Sequence, residues 1–350
     1  MIRHAMTLLA TLTPAVAPAA APAAPLVIAH RGASGYLPEH TLAGKALAHA
    51  QGADAIEQDV VLTKDDVPVV LHDVFLDAVS DVAEVFPGRS RADGRFYVLD
   101  FTLAELQRLR LSERRDPRTG RQLYPGRFPA GTGSFRVATL AEELELLEGL
   151  GRSTGRRAGV YPEIKQPAWH RGEGHDISPI VLRVLREHGF ATKADPCHLQ
   201  CFDADEVARL RGELGWQGRL VQLVGNLPDD GLDPLLADGG LAALANVVDG
   251  IGPPLARVID AAGRPTGLVA AAHRAGLVVH AYTFRRDAPP AFAADTDAAL
   301  RILFDDAGID GLFSDFPDVC VAWLKANRRY LPEERPRRST GEAPPPTAGQ

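Results

Sequence analysis

Nine short runs rich in Val, Ile and Leu recur along the chain, at 26–29, 55–62, 68–71, 159–164, 198–202, 220–224, 247–251, 278–283 and 311–314. Stretches of helical periodicity fall between them, for example at 42–50, 140–150, 177–188, 204–214, 267–275 and 297–307. This alternation of strand and amphipathic helix is the pattern of βα units wound around a parallel sheet. Thr41, Thr139, Asp203 and Thr266 sit just ahead of helical runs, where a side-chain oxygen caps the first turn. Gly189, Gly276 and Gly308 stand where helices should end. The expected fold class is α/β, a (β/α)8 TIM-type barrel with an insertion between early strands. Nine candidates exceed the eight strands that close such a barrel, so one of them is not a strand or lies outside the ring.

At 350 residues the chain suits two average domains or one large barrel, and composition does not choose between them. Residues 77–136 break the rhythm with Gly88, Gly94, Gly120, Gly126, Gly131 and Gly133 among many charges, which reads as an insertion forming a partly helical cap over the site. Residues 1–24 read as a signal peptide or a disordered leader. Arg3 and His4 are weakly basic, 6–10 is apolar and 19–24 offers small residues for cleavage, while Pro14 and Pro18 interrupt the apolar part. Residues 328–350 mix Arg, Pro, Glu, Ser and Gly and read as a disordered tail. The globular part is thus 25–327, and an export signal places it outside the cytoplasm, periplasmic or secreted.

No later run approaches the roughly 20 apolar residues of a membrane span, so no transmembrane segment is expected. A net charge of −7 gives no broad cationic field, which argues against nucleic acid as a partner. The sequence carries no signal of oligomeric state. Cys197 and Cys201 lie along one apparent strand, where a rise of four residues separates them by roughly 13 Å, too far to bridge. Buried free thiols are the expectation, with a disulfide to Cys320 as the alternative.

Open-faced α/β barrels place their chemistry at strand exits, because the loops leaving the carboxyl ends surround one pocket. His30 and Arg31 follow the first run, where the bland alternative is a surface His beside an Arg. Glu57 and Asp59 share one face of the second run by strand alternation, and two acids in an apolar strand are costly to bury without a compensating cation. Their alternative is pairing with Lys or Arg on the solvent side. His72 and Asp73 end the third run, and an imidazole there is able to move a proton near neutral pH. Glu163 and Lys165 share a face at the end of the fourth. Three carboxylates as hard oxygen donors suit Mg²⁺ or Ca²⁺, and the lack of clustered thiolates or imidazoles argues against zinc. A divalent ion with flanking Arg and Lys, and two histidines to take and give protons, is what cleavage of a phosphate ester needs.

His30-Arg31 with Glu39, Glu57-x-Asp59 and His72-Asp73 resemble the signature of the glycerophosphodiester phosphodiesterase family. The segment HRGASGYLPEHTLAGKALAHAQGADAIEQDVVLTKDDVPVVLHD is similar to its bacterial periplasmic branch, as are YPGRFP, YPEIK, LQCFDADE, DGIGP, VVHAYTFR and GLFSDFPD. The likeness runs over about residues 26 to 325, which makes 25–327 the expected phosphodiesterase barrel. It implies a metal held by Glu57, Asp59 and Glu163, with His30 and His72 as the acid/base pair. It also implies that Arg31 and Lys165 grip the phosphate and that Glu39 lies in the pocket near the glycerol. The implied cofactor is a divalent cation, calcium first and magnesium second.

The implied reaction is hydrolysis of small-molecule diesters such as glycerophosphocholine and glycerophosphoethanolamine to sn-glycerol 3-phosphate and an alcohol. Gln200 and Tyr282 are expected to line the glycerol or alcohol side, with Phe202 divided between that role and core packing. Residues 225–240 are short beside that branch and should form a loop over the active face. Two other readings stand. One is a secreted phosphodiesterase acting on teichoic-acid glycerol phosphate or lysophospholipid head groups. The other is a silent binding protein, against which every expected catalytic residue is present.

Overall fold

The computed structural model describes residues 24–225 and 233–327. The leader expected at 1–24, apart from its last residue, and the tail at 328–350 lie outside them. So does much of the expected loop at 225–240, whose later part enters the helices Asp233–Leu236 and Asp238–Leu244.

Nine strands form one sheet: β1 (Leu26–Ala29), β2 (Ala55–Leu62), β3 (Pro68–Val70), β4 (Gly159–Ile164), β5 (His198–Cys201), β6 (Arg219–Leu223), β7 (Gly250–Gly252), β8 (Val278–Phe284) and β9 (Gly311–Ser314). Eight of them run parallel in the order β1-β9-β8-β7-β6-β5-β4-β2, and pairing of β1 with β2 closes the ring. The molecule is a (β/α)8 barrel of TIM type. β3 is the extra strand: among the described strands it pairs with β2 alone, antiparallel, through Val60↔Val70 to Leu62↔Pro68, its other edge meets the chain at a bridge between Val69 and Thr139, and it stands outside the ring.

Alternation sorts the strand residues. Ile28, Tyr161, Val221 and Phe313 point into the ring and fill its floor. Val27, Ala29, Ile56, Val60, Val160 and Ile164 point outward into the main core, against helices such as Leu42–Ala50, Leu140–Thr154 and Ile177–Glu187. Each such apolar side chain taken from water contributes about 1.5–3 kcal/mol. The floor also holds polar groups: Tyr161 Oη is 2.8 Å from His280 Nδ1, and its ring stacks on His198 at 5.0 Å.

Thr41, Thr139 and Asp203 cap their helices by accepting from backbone N–H groups, and Thr139 completes a capping box with Glu142. Thr266 stands one residue ahead of the N-cap, which is Gly267 at φ +89°: its Oγ1 accepts from Leu268 N, the first N–H of the helix Leu268–Arg274, at 3.4 Å and donates to Arg257 O at 2.6 Å. β7 starts later than the apolar run at 247–251, because the N–H groups of Val247 and Val248 donate to Leu244 O and finish the preceding helix. All three cysteines are buried and free.

Between β3 and β4 the chain builds a second, smaller core, in which Val61 and Val69 meet Leu71, Val74, Leu76, Phe96, Phe101, Leu106, Leu109, Leu111 and Val137. The segment is irregular, with short helices Val82–Val85 and Leu103–Leu106 and isolated bridges such as Ser80↔Leu111 and Leu111↔Phe135. Arginines brace it, Arg89 lying 4.3 Å over Phe101 and Arg95 3.7 Å over Phe75. Among the described residues no helix is long and apolar enough to cross a membrane.

Candidate active site

The inward alternation that fills the floor with apolar groups carries polar ones to the rim. Glu57 and Asp59 face inward from β2, and Glu163 faces inward from β4, in register with Asp59. One oxygen of each lies within 4.8 Å of the others, and the three residues are only 4%, 1% and 5% exposed. Arg31 N donates to Glu57 Oε2 at 2.9 Å and Gln200 Nε2 to Glu57 Oε1 at 3.1 Å. Lys165 Nζ lies 2.7 Å from Glu163 Oε1 and 3.9 Å from Asp59 Oδ1, while His40 Nε2 is 2.7 Å from Asp59 Oδ2.

Burial and the neighbouring Asp59 push the Glu57 carboxyl well up, and burial pushes Glu163 up to about 8 against the pull of Lys165. Burial would raise Asp59 too, but Lys165 and His40 hold it well below the usual range. Three crowded carboxylates that resist joint ionisation, with Asp59 Oδ1 lacking a hydrogen-bond partner among the described residues, fit a hard divalent cation. The triad is a site able to bind a metal ion.

Two histidines face it. His30 follows β1 and sets Nδ1 2.5 Å from Asp315 Oδ1, with Nε2 3.9 Å from Glu57 Oε2. Arg127 and Arg285 brace Asp315 at 2.7 and 2.9 Å. Burial and the charge of Arg31 push the His30 imidazole down to about 4. His72 follows β3, its Nδ1 2.6 Å from Asp73 Oδ1, and Arg114 holds Asp73 at 2.6 Å. Burial, Arg31 and Lys165 lower it as well. A carboxylate at Nδ1 takes that nitrogen's proton as its hydrogen bond and leaves Nε2 of the neutral ring a bare acceptor.

A cavity of about 330 Å³ joins these groups. His30, His72, Arg31, Lys165, Gln200, Tyr282, Glu57, Asp59 and Glu163 all line it, as does Phe202. Glu39 is set behind it: Arg31 Nη1 donates to it at 3.0 Å, and Arg114 grips it twice, at 2.9 and 2.6 Å. The loop after β1 needs Gly32, whose φ is +87° and where an added Cβ would come within 2.9 Å of Gly44 C.

Sequence reasoning gave no role to Asp315, Arg285, Arg114, Arg127 or His40. Asp315 was open to the same criterion as the others, a charged group at the exit of an apolar strand. Arg114 and Arg127 come from the irregular cap, whose sequence has no period from which to place them.

Residues 30–319 match the model of the glycerophosphoryl diester phosphodiesterase family. The chain belongs to that family. Membership makes it an enzyme, a phosphodiesterase. It is 41% identical over 326 residues to a glycerophosphodiester phosphodiesterase of Haemophilus influenzae, covering 86% of this chain and 90% of the relative. In structure it resembles a putative family member from Silicibacter pomeroyi with a TM-score of 0.68 and 26% identity, over 88% of this chain and 95% of that one. A phosphodiesterase of Oleispira antarctica, solved with the product sn-glycerol-3-phosphate, shares the fold at a TM-score of 0.59 and 24% identity, over 86% and 97% of the two chains.

Proposed function

We propose that this phosphodiesterase hydrolyses small glycerophosphodiesters, glycerophosphocholine and glycerophosphoethanolamine among them, to sn-glycerol 3-phosphate and a free alcohol. In this reading a divalent cation, calcium before magnesium, is held by Glu57, Asp59 and Glu163, and the enzyme works outside the cytoplasm. One observation carries it: a buried triad of oxygen donors flanked by Arg31 and Lys165 and faced by two imidazoles with carboxylate-bound Nδ1 atoms. The product held by the Oleispira antarctica structure is in keeping with it.

Glu57, Asp59 and Glu163 would hold the cation, which would polarise a phosphoryl oxygen and offset negative charge on the phosphoryl oxygens. Arg31 and Lys165 bind the remaining phosphate oxygens, and their charge tells most in the transition state, where the oxygens carry most negative charge. Of the two histidines, one takes the proton of the attacking oxygen at Nε2, and the other, protonated at Nε2, gives one to the leaving alcohol. Asp315 and Asp73 each accept Nδ1–H, which leaves Nε2 of the base a bare acceptor and stabilises the imidazolium form through which the other ring acts as the acid.

Incubation with glycerophosphocholine should release sn-glycerol 3-phosphate, a chelator should stop the release and added calcium should restore it. Undiminished turnover after exhaustive chelation would remove the cation from the reading, and no release of glycerol 3-phosphate from either diester would remove the substrate class. Export is tested by fractionating cells and finding the processed protein outside the cytoplasm.

A further inference from the structure

A second cavity of about 210 Å³ adjoins the first on the cap side. His30, Arg31, His72 and Arg285 line both, so the two imidazoles stand on the boundary between two chambers. A phosphodiester has two arms, and a phosphorus atom held between those imidazoles directs one arm into each chamber.

The chambers differ in chemistry. Phe202, Leu223, Leu255, Tyr282 and Phe313 give the first an apolar wall. Gln200 donates Nε2 to Glu57 there, and its Oε1 has no hydrogen-bond partner among the described residues. Beside the three carboxylates of the candidate cation site, this apolar wall suits an uncharged polyol, the glycerol arm.

The cap-side chamber is ionic, and its arginines are already engaged. Arg114 bonds Glu39 and Asp73, Arg127 bonds Asp287 and Asp315, Arg285 bonds Asp315, and Arg31 bonds Glu39. Glu113 is the exception. It is 4% exposed, lines this chamber, and its Oε2 has no hydrogen-bond partner among the described residues. Burial pushes its carboxyl up to about 7, against the pull of Arg127. A buried carboxyl oxygen lacking a donor is unfavourable by itself and favourable once a ligand supplies N–H groups.

We propose that the cap-side chamber receives the departing alcohol and that Glu113 selects head groups bearing a primary ammonium, as in ethanolamine, over uncharged ones. The inference rests on the phosphodiesterase reading above. A charge-assisted hydrogen bond to the buried Glu113 favours the ammonium head group by roughly tenfold or more in kcat/KM.

The test compares glycerophosphoethanolamine with its N-acetyl derivative, which keeps the chain and loses the charge, in the wild-type enzyme and in Glu113→Gln. The wild type should favour the ammonium substrate at least about tenfold, and the variant should bring the ratio of the two kcat/KM values close to one. An active wild type with no preference, or a Glu113→Gln ratio equal to that of the wild type, overturns the assignment and leaves the phosphodiesterase reading standing. If Glu113→Gln does not fold, Glu113→Ala is read in its place, with the same two outcomes. A wild type inactive on both substrates sinks the underlying reading and this inference with it.

Discussion

Both histidines are oriented by one device, a carboxylate at Nδ1 that is itself clamped by arginine, but the clamps differ. Asp315 is fixed by Arg127 and Arg285, and Asp73 by Arg114. Replacing His72 by Ala should lower kcat by roughly 10²- to 10⁴-fold with an unchanged melting temperature. Asp315→Asn keeps the shape and loses the charge, so kcat should fall at least about tenfold while KM changes little, as expected for a group that acts by positioning His30. Steady-state kinetics on glycerophosphocholine checks both. At this scale the sequence was legible where a charged residue stood within an apolar strand or just past its end, as at Glu57, Asp59, Glu163 and His30, which line one cavity. It was silent on Arg114 and Arg127, which reach the site only through the packing of the cap. Glu39 was legible as a site residue, but its distance behind Arg31 depends on Arg114 and so could not be read.

Among the elements, the contact between helices Leu42–Ala50 and Leu140–Thr154 contains a fully buried ion pair, Lys45 Nζ to Glu143 Oε2 at 3.0 Å. Lys45 also donates to Glu57 O and lies 3.2 Å from His40 Nδ1, so the pair ties the outer helices to the strand that carries two of the acids. Lys45→Met should destabilise the fold by roughly 3–5 kcal/mol, because it strands Glu143, and adding Glu143→Leu should recover much of the loss. Thermal denaturation of the single and double variants reads this out.

Burial pushes the Glu143 carboxyl up to about 7, with Lys45 opposing. The folded state therefore binds this proton more tightly than the unfolded one, and the resulting stabilisation is complete below about pH 4.5 and lost as pH rises through 7. Melting temperatures of the wild type and Glu143→Gln, compared at pH 5 and pH 8, should shift in favour of the variant at the higher pH, by an amount on the order of 3 kcal/mol. Strand positions were legible at this scale because apolar runs mark them. Errors arose where a helix end and a strand start share one apolar run, as at Val247 and Val248, and where two adjacent residues, Thr266 and Gly267, compete to open a helix.

For the whole molecule, the nine strand candidates all proved to be strands, and only the pairing pattern decided that β3 is the one outside the ring. Register is a long-range property that local periodicity does not encode. Three thiols buried in the barrel core, with burial pushing Cys320 up to about 12, should be inert in the native state. A colourimetric thiol reagent should find no reactive group before denaturation and all three after it.

The two imidazoles belong to different bodies of packing. Ala29, beside His30, is part of the larger core, whereas Leu71 and Val74, on either side of His72, are part of the smaller one. Proton traffic therefore crosses a seam, and the enzyme's output monitors how well its two halves are sealed together. Moderate urea that melts only the lesser cluster should silence turnover while the helical circular dichroism of the ring persists.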